Sequence, residues 1–281
     1  MIVGERRGRG GRLVRRVLLG VGSLLMLLPF YLLVRNAFMR SADITAPQWN
    51  WLPPTWAVDN LTGLFTDPLV PFGQALLNSV LIAVAQTVGV LVVSSLAGYG
   101  LARIPYRWSD VVFWVITATL LVPAAVTFVP TFVVVSSLGW VSSLRGLIVP
   151  GLFQALATFL FRQYFTDFPR EMEEAAALDG LTPWGTFWRI VVPNSLGFSA
   201  AIGTITFIGS WNAFLWPLVI AQDQNAWTVQ IALSTMLNAQ SVDLGRLFMA
   251  GLLSILPLLL MFVVLQRWIV HGVERTGLGG G

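Results

Sequence analysis

The sequence predicts an all-α integral membrane protein with six transmembrane helices. Of its 281 residues, 56% are hydrophobic and only 11% are charged, and the mean hydropathy is +0.76. A soluble domain contains about 25% charged residues, so this composition fits a protein whose solvent is the bilayer. Six apolar runs approach or exceed the roughly 20 residues that a spanning helix needs. They are Val17–Val34, Ala75–Leu101, Val111–Leu138, Leu147–Phe161, Asn194–Ala221 and Leu247–Ile269.

The first apolar run is predicted to be a retained span and not a cleaved signal peptide. A signal peptide has a short apolar region followed by a site of small residues. No clear site of that kind follows the first run, and Pro29 lies within it.

The arginines predict the orientation of the chain in the membrane. All 17 basic residues are arginine, and 13 of them flank the predicted spans on one side. The other side holds Arg35, Arg40, Arg145 and Arg246. Positively charged segments normally stay in the cytoplasm, so both termini are expected there. Because the arginines flank apolar runs and do not form one basic face, the pI near 10.3 does not indicate nucleic-acid binding.

The residue types that are missing exclude several kinds of site. Without lysine the chain has no phosphate-binding loop of the GxxxxGK[ST] type. Without cysteine it has no disulfide, thiolate metal site or cysteine nucleophile. The single histidine, His271, excludes a His-rich metal site and is interpreted as an interfacial side chain at the end of a span.

The predicted spans are almost free of ionisable residues. They contain no Asp, Glu, Lys or His, and the one Arg within their bounds, Arg267, lies two residues from the end of the last span. Ionisable groups inside a bilayer usually mark ion paths and proton relays. Their absence argues against an ion-driven carrier and against an intramembrane enzyme. We therefore predict no catalytic residue and no metal site, and we expect energy for any uphill transport to come from another subunit.

A polar stretch between the fourth and fifth spans predicts two short surface helices. Pro169 suits a first helical turn, and the acidic residues that follow it favour the positive end of the helix dipole. Gly180 suits the left-handed conformation that ends a helix, and Thr182 with Pro183 suits the start of a second helix. A knob of this shape fits a cleft in a soluble partner, although a plain amphipathic loop joining two spans has the same signals.

A long segment between the first two spans is rich in tryptophan. Trp49, Trp51 and Trp56 suit the membrane interface, where indole sits well at headgroup depth. The segment is interpreted either as an anchoring belt or as a docking surface for an external protein.

The polar stretch also resembles the EAA loop of the permease subunits of ABC importers. The resemblance lies in Glu174-Ala175-Ala176, Asp179-Gly180, Phe187, Ile190 and Pro193. Further residues resemble the maltose-type carbohydrate branch of these permeases, namely Asn60-Leu61, Phe65, Asn78-Ser79, Tyr99-Gly100-Leu101-Ala102-Arg103, Trp211-Asn212-Ala213-Phe214 and Pro217. The glycine-rich tail departs from the family, because it carries no lysine.

The resemblance implies a type I importer permease fold in a bacterial inner membrane. The loop would be the coupling helix that contacts ATP-binding cassette subunits, and the coupling residues would be Glu174, Ala175, Ala176, Asp179, Gly180, Ile190 and Pro193. ATP and Mg would be used by those subunits, and this chain would bind no cofactor. The other implied partners are a second homologous permease and an external solute-binding protein. The chain would then divide into an Arg-rich terminus (1–16), a first span with outer segment (17–72), a permease core (73–270) with coupling loop 166–193, and a tail (271–281).

The resemblance implies a sugar or an oligosaccharide as the cargo. Trp211, Asn212 and Gln154 are candidates for the substrate path, although an Asn in a span also commonly bonds a neighbouring helix. A polyol, glycerol phosphate or another small solute is the alternative cargo. An ion-coupled secondary carrier and a membrane scaffold without transport activity are the remaining alternatives.

Overall fold

Long apolar runs that lack the apolar–polar alternation of a β-strand form helices throughout the described chain. The structure, a computed structural model, describes the backbone of residues 9–277 and the side chains of residues 15–266, and this part contains no strand. The helices are α1 Arg9–Ala37, α2 Ser41–Ile44, α3 Asp59–Thr66, α4 Phe72–Arg103, α5 Ser109–Thr119, α6 Ala124–Ser137, α7 Leu144–Ile148, α8 Ala155–Thr166, α9 Arg170–Leu178, α10 Pro183–Thr186, α11 Val192–Asn194, α12 Leu196–Trp211, α13 Leu215–Ile220, α14 Val229–Leu237 and α15 Leu244–Gly277. Short 3-10 turns cover Val149–Gly151 and Gln224–Ala226, and a π-helical turn covers Phe187–Val191.

Three of the predicted spans are single helices long and apolar enough to cross a bilayer. They are Arg15–Ala37 within α1, Phe72–Arg103, and Leu244–Gln266 within α15. Three further spans are possible when bent helix pairs are counted as one each: Ser109–Thr119 with Ala124–Ser137, Leu144–Gly151 with Ala155–Thr166, and Pro183–Asn194 with Leu196–Trp211. The described chain thus accommodates the predicted six spans. His271 belongs to α15, but its side chain lies outside the described residues.

The third and fifth predicted spans are not continuous helices. The sequence predicts one span over Val111–Leu138, long enough to tilt or bend, and α5 and α6 in this region meet at an angle of 99°. Pro123 precedes α6 in an extended conformation, and proline cannot donate the backbone hydrogen bond that a continuing helix needs. The predicted fifth span ends its first helix at Trp211, and α13 begins only at Leu215. Apolar composition predicted the apolar runs but not the positions at which their helices break.

Contacts divide the described chain into two units. The first comprises the described residues up to Val70 together with Thr235–Ser254, and the second comprises Pro71–Ser234 and the described residues from Ile255 onward.

In the first unit, polar side chains tie helix ends together across long stretches of sequence. The amide of Asn60 donates to the carbonyl oxygens of Ala37 and Met39, both at 2.9 Å. These carbonyls lie at the end of α1, where the last turn has no partners of its own. Asp243 accepts from the Ser41 hydroxyl at 2.8 Å and pairs with Arg246 at 3.2 Å. The Asn60 side chain therefore caps the C-terminal end of α1.

In the second unit, α4 is the central helix and packs against α8 and α12. Gly98 allows the closest approach, because a Cβ atom there would lie 2.7 Å from Phe161 Cβ and 2.8 Å from the backbone nitrogen of Arg162. Aromatic side chains fill the space beside this contact, with Phe161, Phe165 and Phe187 almost fully buried. The close packing of α8 on α4 depends on the absence of a side chain at Gly98.

Replacing Gly98 with alanine should lower the melting temperature of the purified protein. The added methyl group meets backbone that cannot rotate away, and overpacking of this kind costs about 1–3 kcal/mol. The control is Gly100→Ala on the same helix, where an added Cβ meets nothing within 4 Å. Equal melting temperatures for the two variants, measured by thermal unfolding in detergent, would contradict the close approach of α8.

Candidate functional site

The polar loop begins with helix α9, which ends in a tight glycine turn. The amide of Gly180 donates to the Ala177 carbonyl at 3.0 Å, and the amide of Leu181 donates to the Ala176 carbonyl at 2.9 Å. This pair of bonds is the Schellman arrangement that satisfies the last carbonyls of a helix. Gly180 has a φ of +82°, a conformation that residues with a Cβ rarely adopt. The predicted helix end at Gly180 is confirmed.

The second half of the loop starts as the sequence predicts and then widens. The hydroxyl of Thr182 accepts a hydrogen bond from the Gly185 amide at 3.3 Å, and Pro183 occupies the first helical turn. From Phe187 to Val191 the helix has π geometry, which is rare and often lies at functional positions. The chain then bends by 76° before Leu196–Trp211.

Helix α9 presents one continuous exposed stripe. Glu171, Glu174, Ala175 and Leu178 follow the spacing of one helix face and are all exposed, Leu178 at 90%. The stripe combines two carboxylates with apolar groups and continues to Asp179 and Gly180, which are also exposed. This surface suits a partner that offers both a basic residue and an apolar recess.

Not every predicted coupling residue lies on that surface. Ala176 is buried and Ile190 is partly buried, whereas Pro193 is exposed. Ala175 and Ala176 were both predicted to be coupling residues, but consecutive helical residues point about 100° apart. Ala175 therefore faces outward, and Ala176 packs inward.

The last turn of α4 holds the loop in place through Arg103. The Arg103 side chain is 6% exposed, and its Nε lies 3.5 Å from Oε2 of Glu173. The guanidinium also donates to the carbonyl oxygen of Phe168, just before α9 begins. A buried guanidinium needs such partners, because an unpaired buried charge is costly. Arg103 thus ties the start of the loop to a spanning helix.

Tyr99, one turn earlier on α4, holds the other half of the loop. Its ring lies 5.0 Å from the ring of Phe187 and 5.8 Å from that of Phe165, centroid to centroid. Aromatic pairs at these distances stabilise by more than their buried area alone. The two halves of the loop are therefore both attached to the same end of α4.

Burial raises the pKa of Glu173 above its ordinary value. The positive charges of Arg103 and Arg170 and the hydroxyl of Tyr99 act in the opposite direction, but burial has the largest effect. Loss of the Arg103 cation would therefore raise the pKa of Glu173 further. We name Tyr99, Arg103 and Glu173 the loop anchor.

Sequence reasoning did not identify the loop anchor as a functional site. Tyr99 and Arg103 were noted only for their family resemblance, and Glu173 was grouped with the other acidic residues of α9. The available signal was a cation in the last turn of a long apolar helix together with an acidic loop elsewhere in the chain. Such a cation needs a counter-charge once it is buried.

The candidate substrate-path residues differ in their surroundings. Asn212 is exposed in the break between α12 and α13, where its amide donates to the Ile208 carbonyl at 3.0 Å. Trp211 is 2% exposed and stacks on Phe207, so its indole has no free face in this conformation. Gln154 is partly buried at the start of α8, and among the described contacts it makes no hydrogen bond to Trp211 or Asn212. The structure does not bring the three together as one site.

Other polar side chains of the second unit form hydrogen bonds between helices. The Gln86 amide donates to the Leu147 carbonyl at 2.9 Å, and its oxygen accepts from the Ser210 hydroxyl at 2.6 Å. Next to it lies a cavity of about 30 Å³, whose lining includes Ser79 and Thr228. That volume holds water but no larger solute.

The chain is similar to proteins of known role over almost its whole length. Residues 91–275 match the family described as binding-protein-dependent transport system inner membrane component. The sn-glycerol-3-phosphate transport system permease protein UgpE of Pectobacterium atrosepticum is 35% identical over 271 residues, which cover 94% of this chain and 96% of the relative. The protein of the same name from Agrobacterium fabrum is 32% identical over 278 residues, with the same two coverages.

A solved structure supports the fold. It is described as the crystal structure of a bacterial ABC transporter involved in the import of the acidic polysaccharide alginate, and one of its chains superposes with a TM-score of 0.82. The superposition covers 95% of this chain and 99% of that chain at 22% sequence identity, which establishes the shared fold alone. The predicted importer-permease fold is confirmed. This chain belongs to the family of inner membrane components of binding-protein-dependent transport systems, and it is a multi-pass permease subunit of an ABC importer.

Proposed function

We propose that this subunit helps to import sn-glycerol-3-phosphate or a closely similar phosphorylated polyol. The observation that carries the proposal is the similarity to two UgpE proteins along 94% of the chain. Glycerol phosphate was the alternative cargo of the sequence analysis, and these relatives favour it over the sugar or oligosaccharide that was preferred there. An ion-coupled carrier is disfavoured, because the family consists of components of binding-protein-dependent systems.

The polar loop is the proposed contact with the ATPase. In this proposal the exposed stripe of α9 enters a cleft of an ATP-binding cassette subunit, which binds ATP and Mg. Glu174 accepts a charge-assisted hydrogen bond from a basic residue of that subunit, and Leu178 fills an apolar recess. This chain contributes no ATPase site of its own. A second permease subunit completes the path, and an external binding protein delivers the cargo.

The loop anchor is the proposed link between the ATPase and the membrane. When the ATPase subunits close, they move α9, and the Arg103 contacts pass that displacement to α4. Rigid-body movement of packed helices is an established way to switch a protein between two states. The arginine distribution supports an orientation with the loop and both termini in the cytoplasm.

The neutral spans limit what this subunit contributes to cargo recognition. A phosphate group attracts cations and aligned hydrogen-bond donors, and the predicted spans carry neutral polar groups such as Gln154 and Asn212. In this proposal those groups contact the hydroxyls of the cargo. Recognition of the phosphate charge then rests on the partner permease or on the binding protein.

The cargo is tested by uptake into proteoliposomes that contain the complete transporter and its binding protein. We expect ATP-dependent, saturable uptake of labelled sn-glycerol-3-phosphate. Labelled glycerol is the matched control, because it has the same carbon skeleton without the phosphate. Uptake of maltose with no uptake of glycerol phosphate would contradict the proposed cargo while leaving the ATP-driven mechanism intact.

The loop is tested by replacing Gly180 with valine. A left-handed backbone costs a residue with a Cβ about 1–2 kcal/mol, and here the cost is conformational, because an added Cβ meets nothing within 4 Å. A loop misplaced by that strain should lower uptake by about tenfold, the factor that corresponds to 1.4 kcal/mol. ATP hydrolysis should no longer respond to the loaded binding protein. Gly185→Ala, in the same loop with ordinary contacts, should retain full uptake; equal uptake by both variants would exclude the coupling role.

The loop anchor is tested by its dependence on pH. Because the pKa of Glu173 is raised in the folded protein, its stabilising contribution is complete at acid pH and is lost as pH rises through that pKa. Arg103 lowers this pKa, so R103Q should destabilise the protein more at pH 8 than at pH 5, by roughly 1–3 kcal/mol at the higher pH. The measurement is thermal unfolding of the complex at both values.

Two further variants make this result specific. R103Q/E173Q should melt at a higher temperature than R103Q at pH 8, because the uncompensated buried carboxylate is gone. D167N, which changes an exposed acid just before α9 and outside the exposed stripe, should behave like the wild type. A pH-independent effect of R103Q would mean that Glu173 is not its charge partner.

A further inference from the structure

The ends of α4 and α5 form an apolar groove on the same end of the protein as the polar loop. Its volume is about 400 Å³, and it is lined by Ala97, Gly100, Leu101, Ile104, Tyr106, Ser109, Val112 and Ile116. The α4 residues among these follow helix-face spacing, and so do those of α5. The groove therefore lies between one face of α4 and one face of α5.

The groove has open space beside Gly100. A Cβ atom added at Gly100 would meet no other atom within 4 Å. In a single membrane subunit such an opening is filled by whatever surrounds it, and an acyl chain matches its nearly uniform apolar lining. Tyr106, which lines the groove, and Trp108 nearby in the sequence are both exposed, and exposed aromatic side chains of this kind are typical of the headgroup level.

The charge beside the groove is positive. Arg107 is exposed, and its guanidinium carbon lies 4.9 Å from the centre of the Trp108 ring. Among the described side chains it has no ion-pair partner. The nearby acid, Asp110, is paired with Arg162 at 3.2 Å, so its charge is already compensated. The connecting turn thus presents one uncompensated cation next to an apolar groove.

We infer that this groove binds an anionic phospholipid, with one acyl chain between α4 and α5 and the headgroup phosphate on Arg107. Apolar complementarity places the chain, and charge complementarity selects an anionic headgroup over a zwitterionic one. Basic residues at the edge of a membrane attract anionic lipids in this way. The inference is independent of the cargo, because none of the groove residues is a candidate residue of the substrate path.

The site is tested with photoreactive lipids in nanodiscs that contain the complete transporter. Phosphatidylglycerol with a photoreactive acyl chain is cross-linked, and the yield on the peptide covering 97–116 is measured by mass spectrometry. Arg107→Gln should reduce this yield about fivefold, the factor expected for loss of one cation near a membrane surface. The same probe on phosphatidylethanolamine should give the low yield already with the wild type.

Two variants separate the headgroup contact from the groove. Gly100→Leu should lower the cross-link yield by narrowing the groove, and a Cβ atom at this position meets open space. Arg145→Gln removes another exposed arginine, far along the chain from this turn, and should match the wild type. Equal yields for Arg107→Gln and the wild type would overturn the inference. So would a structure of the complete transporter with a helix of the second permease in the groove.

Discussion

A single buried cation at the end of a spanning helix determines where the polar loop lies. Arg103 ends α4, a helix that is otherwise uncharged over 32 residues. Buried as it is, the guanidinium is stable only with anionic and carbonyl partners around it. Glu173 and the Phe168 carbonyl supply them, and both belong to the segment where α8 ends and α9 begins. The burial of one charged side chain, that of Arg103, therefore holds α9 against the end of the apolar helix α4.

The packing of α4 makes that attachment mechanically useful. Gly98 lets α8 approach closely, and Tyr99, Phe165 and Phe187 fill the space between α4, α8 and the loop. Well-packed interiors are stiff and transmit displacement without deforming. A force applied to the exposed stripe of α9 reaches α4 through two routes, one ionic and one aromatic. The spans themselves need no charged group to be moved.

Composition and periodicity were sufficient to predict the helical membrane fold and the local design of the loop. Gly180 and Thr182 act by local backbone chemistry, which a sequence displays directly. The break at Pro123 follows from the missing backbone donor of proline, which apolar composition does not display, and the inward position of Ala176 depends on packing. The Arg103–Glu173 pair joins residues 70 positions apart, and no local pattern indicates it. The cargo was the hardest to predict, because neutral spans carry little information about a solute.

The most direct measurement of the central claim is cysteine cross-linking from the exposed stripe of α9. The chain has no native cysteine, so Leu178→Cys provides a unique thiol in this chain at a loop position whose side chain is 90% exposed. In the complete transporter this thiol should cross-link to the ATPase subunit with a yield that changes when ATP is bound, and a membrane-impermeant reagent added outside intact cells should not label it. Labelling from outside, or the absence of any cross-link to the ATPase subunit, would contradict the account.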